Sequence, residues 1–318
     1  MPGPPPTVAL PDDDLRALAG PFPPGVRTLV WDWREPGPVP GDVTVLVSEH
    51  SPVAPAPAVF AALPLLRLVQ LPSSGVDPWL PAVPGGVALC NGRGIHGVST
   101  AEAAVAGVLA VLRRHGEAHD ARRERRWEPL VVEQVGGKRV TVVGAGDVGG
   151  RIAAILRAFG AEVVVVGRRR RDGVAALADL PALLPGSDVL VLAVPLTDAT
   201  RGLVDATALA ALRDGAVVAN VARGPVVDTA ALVAEVERGR LRAYLDVTDP
   251  EPLPTDHPLW HLPGVVLTPH TGGGETAWRR RYAELVREQV RRATAGLPPV
   301  NAVTAVSAVS AVSDPAPA

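Results

Sequence analysis

Four stretches of this chain carry side chains suited to a single reaction: Gly144-Ala145-Gly146-Asp147-Val148-Gly149, Ala222-Arg223-Gly224, Glu251-Pro252 and Thr268-Pro269-His270. A glycine-rich turn that leads into a helix offers unpaired N–H groups and the positive end of the helix dipole to a pyrophosphate. An arginine fork clamps a carboxylate, and a histidine can protonate an alkoxide as it develops on a ketone. In this order the pieces are a cofactor cradle, an anion clamp, a carboxylate and an acid/base, and they read as hydride transfer to a 2-oxo acid. Each piece taken alone is commonplace, since Arg-Gly is an ordinary turn and Glu-Pro an ordinary loop. The reading therefore depends on elements that bring all four to one end of one sheet.

Those elements are legible from Arg139 onward. Residues 140–143 form an apolar run before the glycines, and Ile152, Ile155, Leu156 and Phe159 then recur at helical spacing, which predicts strand, turn and helix. Further strands are expected at 163–166, 189–194, 216–220, 241–246 and 265–267, with helical stretches such as 207–212 and 229–237 between them. That alternation predicts a parallel sheet covered by helices on both faces, a doubly wound Rossmann-type domain. Gly144 suits the tight turn, Gly146 a close approach to pyrophosphate, and Gly149 the packing of helix on strand. Before Ser99, short β-rich runs at 27–31, 43–47, 66–71 and 87–90 predict a smaller, flavodoxin-like α/β unit. Ser99-Thr100-Ala101-Glu102 has the pattern of a capping box and is expected to open a helix running toward Arg113.

At 318 residues two domains and a cleft are expected. A final helix at 278–292 is expected to return to the first domain. The expected division is 1–97 with 275–304 as substrate domain, 98–274 as dinucleotide-binding domain, and 305–318, built on Ala-Val-Ser triplets, as a frayed low-complexity tail.

An NAD site ordinarily has Asp or Glu at the end of its second strand to bind the ribose 2′-hydroxyl. Here Val166 is followed by Gly167 and then Arg168, Arg169, Arg170 and Arg171. With the carboxylate missing and guanidinium groups in its place, a preference for NADP(H) over NAD(H) is expected, with Arg168 and Arg169 on the 2′-phosphate and the other two arginines on the surface.

Bulk properties narrow the partners. A formal net charge of −2 gives no global field for nucleic acid or an anionic membrane, and neither is expected as a partner. The single cysteine, Cys90, excludes a disulfide framework or a multi-thiolate metal site, and we expect it to be core filler and the protein to need no metal. The first residues lack a basic region followed by an apolar stretch, and no apolar run approaches membrane-spanning length, so a cytoplasmic protein is expected.

Taken together, residues 142–149, Pro195-Leu196-Thr197, residues 220–224, Asp246-Val247 with Glu251-Pro252, and Thr268-Pro269-His270 resemble the D-isomer-specific 2-hydroxyacid dehydrogenase family, over about residues 66–304. The resemblance implies that Arg223 holds the substrate carboxylate and 2-oxo group, His270 protonates the carbonyl oxygen, and Glu251 orients His270 and favours its charged form. It places Gly144, Gly146, Asp147, Val148 and Gly149 on the pyrophosphate. Pro195 and Thr200 would stand beside the cofactor, Val221 and Ala222 near the nicotinamide, and Asp246 would accept from its carboxamide. The N–H groups of Ser74 and Gly75, in the stretch 71–77, would join Arg223 and His270 in binding substrate. The basic stretch 113–127 is read as a solvated face or as an arm reaching a second subunit, and with the resemblance it implies a homodimer in which Trp127 ends the arm. Glyoxylate, hydroxypyruvate and longer 2-oxo acids are the expected substrates. Two alternatives stay open on the same resemblance: a dinucleotide-sensing interaction protein of the corepressor type, and a phosphite dehydrogenase-like activity.

Overall fold

The computed structural model describes residues 5–35, 37–51, 53–274 and 276–304. The triplet-repeat tail lies outside the described residues. By its contacts the chain divides into two compact units, Met1–Ile95 with Thr276–Ala318, and His96–Glu275.

In the first unit, β1 (Thr7–Leu10), β2 (Arg27–Val30), β3 (Val45–Val47), β4 (Leu68–Gln70) and β5 (Ala88–Cys90) form a parallel sheet in the order β2-β1-β3-β4-β5. This is the flavodoxin-like order. Helices α1 (Asp13–Ala19) and α2 (Pro57–Ala61) belong to the same unit, and α1 is capped by Asp12, whose side chain accepts from Leu15 N at 2.7 Å. Strand β1 is absent from the sequence reading. Its four residues, all buried, stand between Pro6 and Pro11 in a proline-rich stretch. Cys90 is fully buried, and burial pushes its thiol up to about 11, which suits a core spacer and not a nucleophile.

The second unit begins with α3 (Gly97–Leu112) and α4 (His115–Arg123). Then come β6 (Arg139–Val143), α5 (Asp147–Ala158), β7 (Glu162–Gly167), β8 (Val174–Ala176), α6 (Leu180–Leu183), β9 (Val189–Leu192) and α7 (Ala206–Ala211). Strand β10 (Val217–Asn220), α8 (Thr229–Glu237), β11 (Arg242–Leu245) and β12 (Val265–Leu267) complete it. The seven strands are all parallel, in the order β12-β11-β10-β9-β6-β7-β8. Successive residues point to opposite faces of a strand, and here both faces are apolar. Leu190, Leu192, Val218 and Leu245 pack with Leu209 of α7 and Leu232 of α8. Val189, Val191, Val217 and Tyr244 pack with Val108 of α3 and with Ile152 and Leu156 of α5. A parallel sheet buried on both sides, with the strand order reversing between β6 and β9, is the doubly wound fold expected from the alternation. The last helix, α9 (Trp278–Thr294), packs in the first unit through Tyr282, Ala283, Val286 and Val290.

Two local expectations are corrected. Helix α3 starts at Gly97, and no side chain caps it; the Ser99 hydroxyl donates to His96 O at 3.2 Å and so is not the acceptor a capping box requires. The start is set three residues earlier, with His96 at the N-cap position, so the Ser-Thr-Ala-Glu letters fall inside the helix. Phe159 does not complete the apolar face of α5: it follows the last helical residue and is 52% exposed, while Ala153 is buried beside Ile152 and Leu156. Strand β8, also absent from the sequence reading, is a three-residue edge strand that is only half-buried.

Candidate active site

Each motif of the second unit follows a strand, and in a parallel sheet all carboxyl ends share one edge. Gly144–Gly149 follows β6, Pro195 follows β9, Arg223 follows β10, Asp246 and Glu251 follow β11, and His270 follows β12. These five strands are consecutive in the sheet. The edge is where ligands of open α/β sheets bind, at the point where strand order reverses.

The glycine turn is tight inside and open outside. Gly144 has φ +127°, and a Cβ there would lie 2.2 Å from Ala193 O; one on Gly149 would lie 1.8 Å from Gly144 O. A Cβ on the exposed Gly146 would meet nothing within 4 Å. No side chain caps α5, so its first-turn N–H groups, those of Asp147, Val148 and Gly149, are left for an anion. The residues present thus fit the pyrophosphate of a dinucleotide. The Asp147 carboxylate turns away from that opening: its Oδ1 accepts from Arg151 Nε at 2.8 Å and its Oδ2 lies over Gly97, where a Cβ would come within 1.8 Å. Only the backbone of Asp147 is available to an anion.

Beyond β7 the four arginines separate in pairs. Arg170 Nη2 donates to Asp179 Oδ2 at 2.7 Å, and Arg171 Nη2 to Ala145 O at 2.9 Å. Arg168 and Arg169 are exposed, and neither side chain makes a hydrogen bond or ion pair among the described residues.

The loop after β10 is shaped by a side chain from the end of that strand. Buried Asn220 donates from Nδ2 to Arg223 O at 2.9 Å and accepts from Ala222 N at 3.0 Å. Arg223 is half-buried, with Nη1 donating to Ala222 O at 2.8 Å. Gly224 lies against the next loop, since a Cβ there would come 1.9 Å from Thr248 O. Only glycine permits that approach, which brings the Arg223 segment onto the segment leading to Glu251.

His270 Nδ1 and Glu251 Oε1 are 2.5 Å apart, with side chains 46% and 39% exposed. His270 holds φ +53°, an uncommon conformation for a residue with a Cβ. Its N–H donates to Asp246 O at 2.8 Å. The buried Asp246 carboxylate accepts from Thr268 Oγ1 at 2.6 Å, from Thr271 N at 3.0 Å and from Gly272 N at 3.0 Å. Both Asp246 oxygens are thus engaged in holding the His270 loop. Thr200 is similarly occupied: its buried hydroxyl donates to Pro195 O at 2.7 Å and accepts from Thr197 N at 2.8 Å, bracing the loop after β9. Asn220 and Thr268, inside the motifs, and Asp179 act as supports, a role the sequence does not assign to them. For Asn220 the signal was available, as a polar residue closing an apolar strand.

In the first unit, Ser74 O accepts from Asn91 Nδ2 at 3.1 Å and Ser73 Oγ donates to Gly75 O at 2.8 Å. The N–H groups of Ser74 and Gly75 donate to nothing among the described residues. No helix among the described residues is long and apolar enough to cross a membrane. Trp127 is 99% exposed.

Residues 105–272 match the model of the NAD-binding domain of D-isomer-specific 2-hydroxyacid dehydrogenases. The chain is 34% identical to a glyoxylate reductase of Thermofilum pendens, over 76% of each protein. It is 32% identical to a D-3-phosphoglycerate dehydrogenase of Archaeoglobus fulgidus, covering 77% of this chain but only 48% of that one, so it spans about half of that relative's length. Among solved structures, a D-isomer-specific 2-hydroxyacid dehydrogenase from Xanthobacter autotrophicus in complex with NADPH and MES superimposes with a TM-score of 0.82. It is 32% identical and covers 95% of this chain and 98% of that one. An NADPH-dependent glyoxylate/hydroxypyruvate reductase from Sinorhizobium meliloti, bound to NADP and sulfate, gives 0.80 at 27% identity, over 94% and 98%.

Proposed function

The chain belongs to the D-isomer-specific 2-hydroxyacid dehydrogenase family, and from that premise we propose that it reduces a small 2-oxo acid to the D-2-hydroxy acid, using NADPH in preference to NADH. The observation that carries the reading is the pairing of His270 Nδ1 with Glu251 Oε1 at 2.5 Å, on the sheet edge that also bears Arg223 and the glycine turn.

When bound, the nicotinamide dinucleotide supplies the hydride. Arg223 clamps the substrate carboxylate and polarises the 2-oxo group, drawing negative charge onto the carbonyl oxygen. His270 keeps a proton on Nδ1 for Glu251 and presents Nε2–H to that oxygen, so the proton leaves Nε2 as the alkoxide forms. Its partial exposure lets solvent return the proton before the next turnover. The unpaired N–H groups of Ser74 and Gly75 support a carboxylate-binding role for their loop, and the free Arg168 and Arg169 support recognition of a 2′-phosphate. Homodimerisation through the exposed arm that ends at Trp127 belongs to the same proposal.

The test is absorbance at the reduced-nicotinamide band with NADPH or NADH and a panel of glyoxylate, hydroxypyruvate, pyruvate, phenylpyruvate and branched 2-oxo acids. Oxidation with NADPH strongly preferred is expected. Silence across the panel, with tight dinucleotide binding by fluorescence, would replace the reductase reading with that of a dinucleotide sensor. Two substitutions refine it. Replacing Arg168 and Arg169 together by Ala is expected to raise the NADPH dissociation constant about tenfold to a hundredfold, from the loss of charge-assisted contacts, and to leave that for NADH within about twofold. Equal changes for both would show that the arginines are surface charge only. Glu251→Gln keeps a hydrogen-bond acceptor without its charge, and is expected to lower kcat about tenfold with little change in the KM for either reactant. An unaltered kcat would remove Glu251 from the mechanism.

A further inference from the structure

The chain from the end of β7 to β8, residues 168–173, is anchored at three points, and Arg168 and Arg169 are the side chains the anchoring leaves over. Arg170 Nη2 reaches Asp179 Oδ2 at 2.7 Å across β8, and the same oxygen accepts from Ala176 N, the last residue of β8, at 2.7 Å. Arg171 exchanges backbone hydrogen bonds with Val174 at 3.1 and 2.9 Å, closing the link on itself. Its Nη2 donates to Ala145 O at 2.9 Å, inside the glycine turn. The turn that would hold a pyrophosphate and the link that would hold a 2′-phosphate are thus tied to one another. NADPH carries its 2′-phosphate and its pyrophosphate on the same ribose, so the spacing of those two places would decide whether both anionic groups can be bound at once.

We propose that Asp179, acting through Arg170, is a positioning residue for NADPH selectivity: a carboxylate that strengthens the binding of an additional phosphate. The inference rests on the preference for NADPH proposed above. Its sign is the opposite of what charge alone dictates. A carboxylate beside a phosphate site repels the phosphate, and it also occupies a guanidinium that could otherwise contact the ligand. If Asp179 matters only through its charge, removing that charge improves NADPH binding. If it matters by holding the link in place, removing it weakens NADPH binding and leaves NADH, which has no 2′-phosphate, untouched.

The experiment is fluorescence titration of the purified full chain and of Asp179→Asn with NADPH and with NADH. The pair is partly exposed, with Arg170 70% and Asp179 32% accessible, so an effect of the size of a surface ion pair is expected. That is about a threefold to fivefold rise in the NADPH dissociation constant, with NADH within about 1.5-fold. Asp179→Glu, which restores the charge, should recover at least half of the loss. An NADPH constant that falls or stays level, or one that rises together with that for NADH, overturns the inference. So does failure of Asp179→Glu to recover, because the Asn effect would then lie in the contact with Ala176. The Arg168 and Arg169 double substitution separates this from the wider reading. If it abolishes the preference while Asp179→Asn does nothing, NADPH selectivity stands and the positioning role falls.

Discussion

His270→Ala is expected to slow reduction of the 2-oxo acid by about a hundredfold to ten-thousandfold, the range that a positioned general acid contributes. The loss should appear in kcat, because the proton is needed only as charge develops on the carbonyl oxygen. NADPH affinity should hardly change. In the sheet, β12, which precedes His270, lies four strand intervals from β6, which precedes the glycine turn. At about 4.8 Å per interval that is roughly 19 Å, too far for the imidazole to touch a pyrophosphate held there. Stopped-flow reduction together with fluorescence titration separates the two quantities. A variant with full activity would falsify the acid/base assignment, and one that also loses NADPH would indicate that the loop itself had collapsed.

Arg223→Gln is expected to lower kcat/KM for the 2-oxo acid about a hundredfold to a thousandfold, the scale for losing a donor aimed at developing negative charge. Its backbone placement should survive. The Arg223 carbonyl is held by Asn220 and the close approach at Gly224 involves no side chain of residue 223, so the glutamine starts from the same loop. The check compares a 2-oxo acid with an aldehyde of matched length lacking the carboxylate. The parent enzyme should prefer the acid, and the variant should lose most of that preference. If both substrates suffer equally, Arg223 acts on the carbonyl and leaves the carboxylate to other groups.

How much of this was legible beforehand differs by element. Six of the seven strands of the second unit were readable because each is a short apolar run closed by a glycine or a polar residue, and the parallel arrangement followed from helical stretches between them. From that alone Arg223, Glu251 and His270 could be assigned to one edge. Strand β1 escaped because its four residues stand between Pro6 and Pro11 in a proline-rich stretch, and β8 because three half-buried residues at an edge carry too little apolar signal. The Ser99 pattern failed for a different reason. Local letters specify which atoms could bond, while α3 starts at Gly97 with no side-chain cap at all. Side-chain direction was the least accessible quantity. Asp246 and Thr200 are expected beside a cofactor, and the structure adds that the Asp246 carboxylate holds the His270 loop and the Thr200 hydroxyl its own loop after β9. A hydroxyl or carboxylate at a strand end can serve either purpose, and composition does not distinguish them.

The support beneath His270 bears on how the site responds to substitution. Its backbone is fixed by the carbonyl of Asp246, and the two amides that follow it are fixed by the carboxylate of the same residue. Glu251 Oε1 meets Nδ1 of the ring at 2.5 Å. The residue that fixes the backbone of His270 and the residue that meets its ring are therefore separate, one at the end of β11 and the other five positions further on. A change at 251 alters the partner of the ring and leaves those backbone bonds in place, whereas a change at 246 removes the carboxylate that holds Thr268, Thr271 and Gly272.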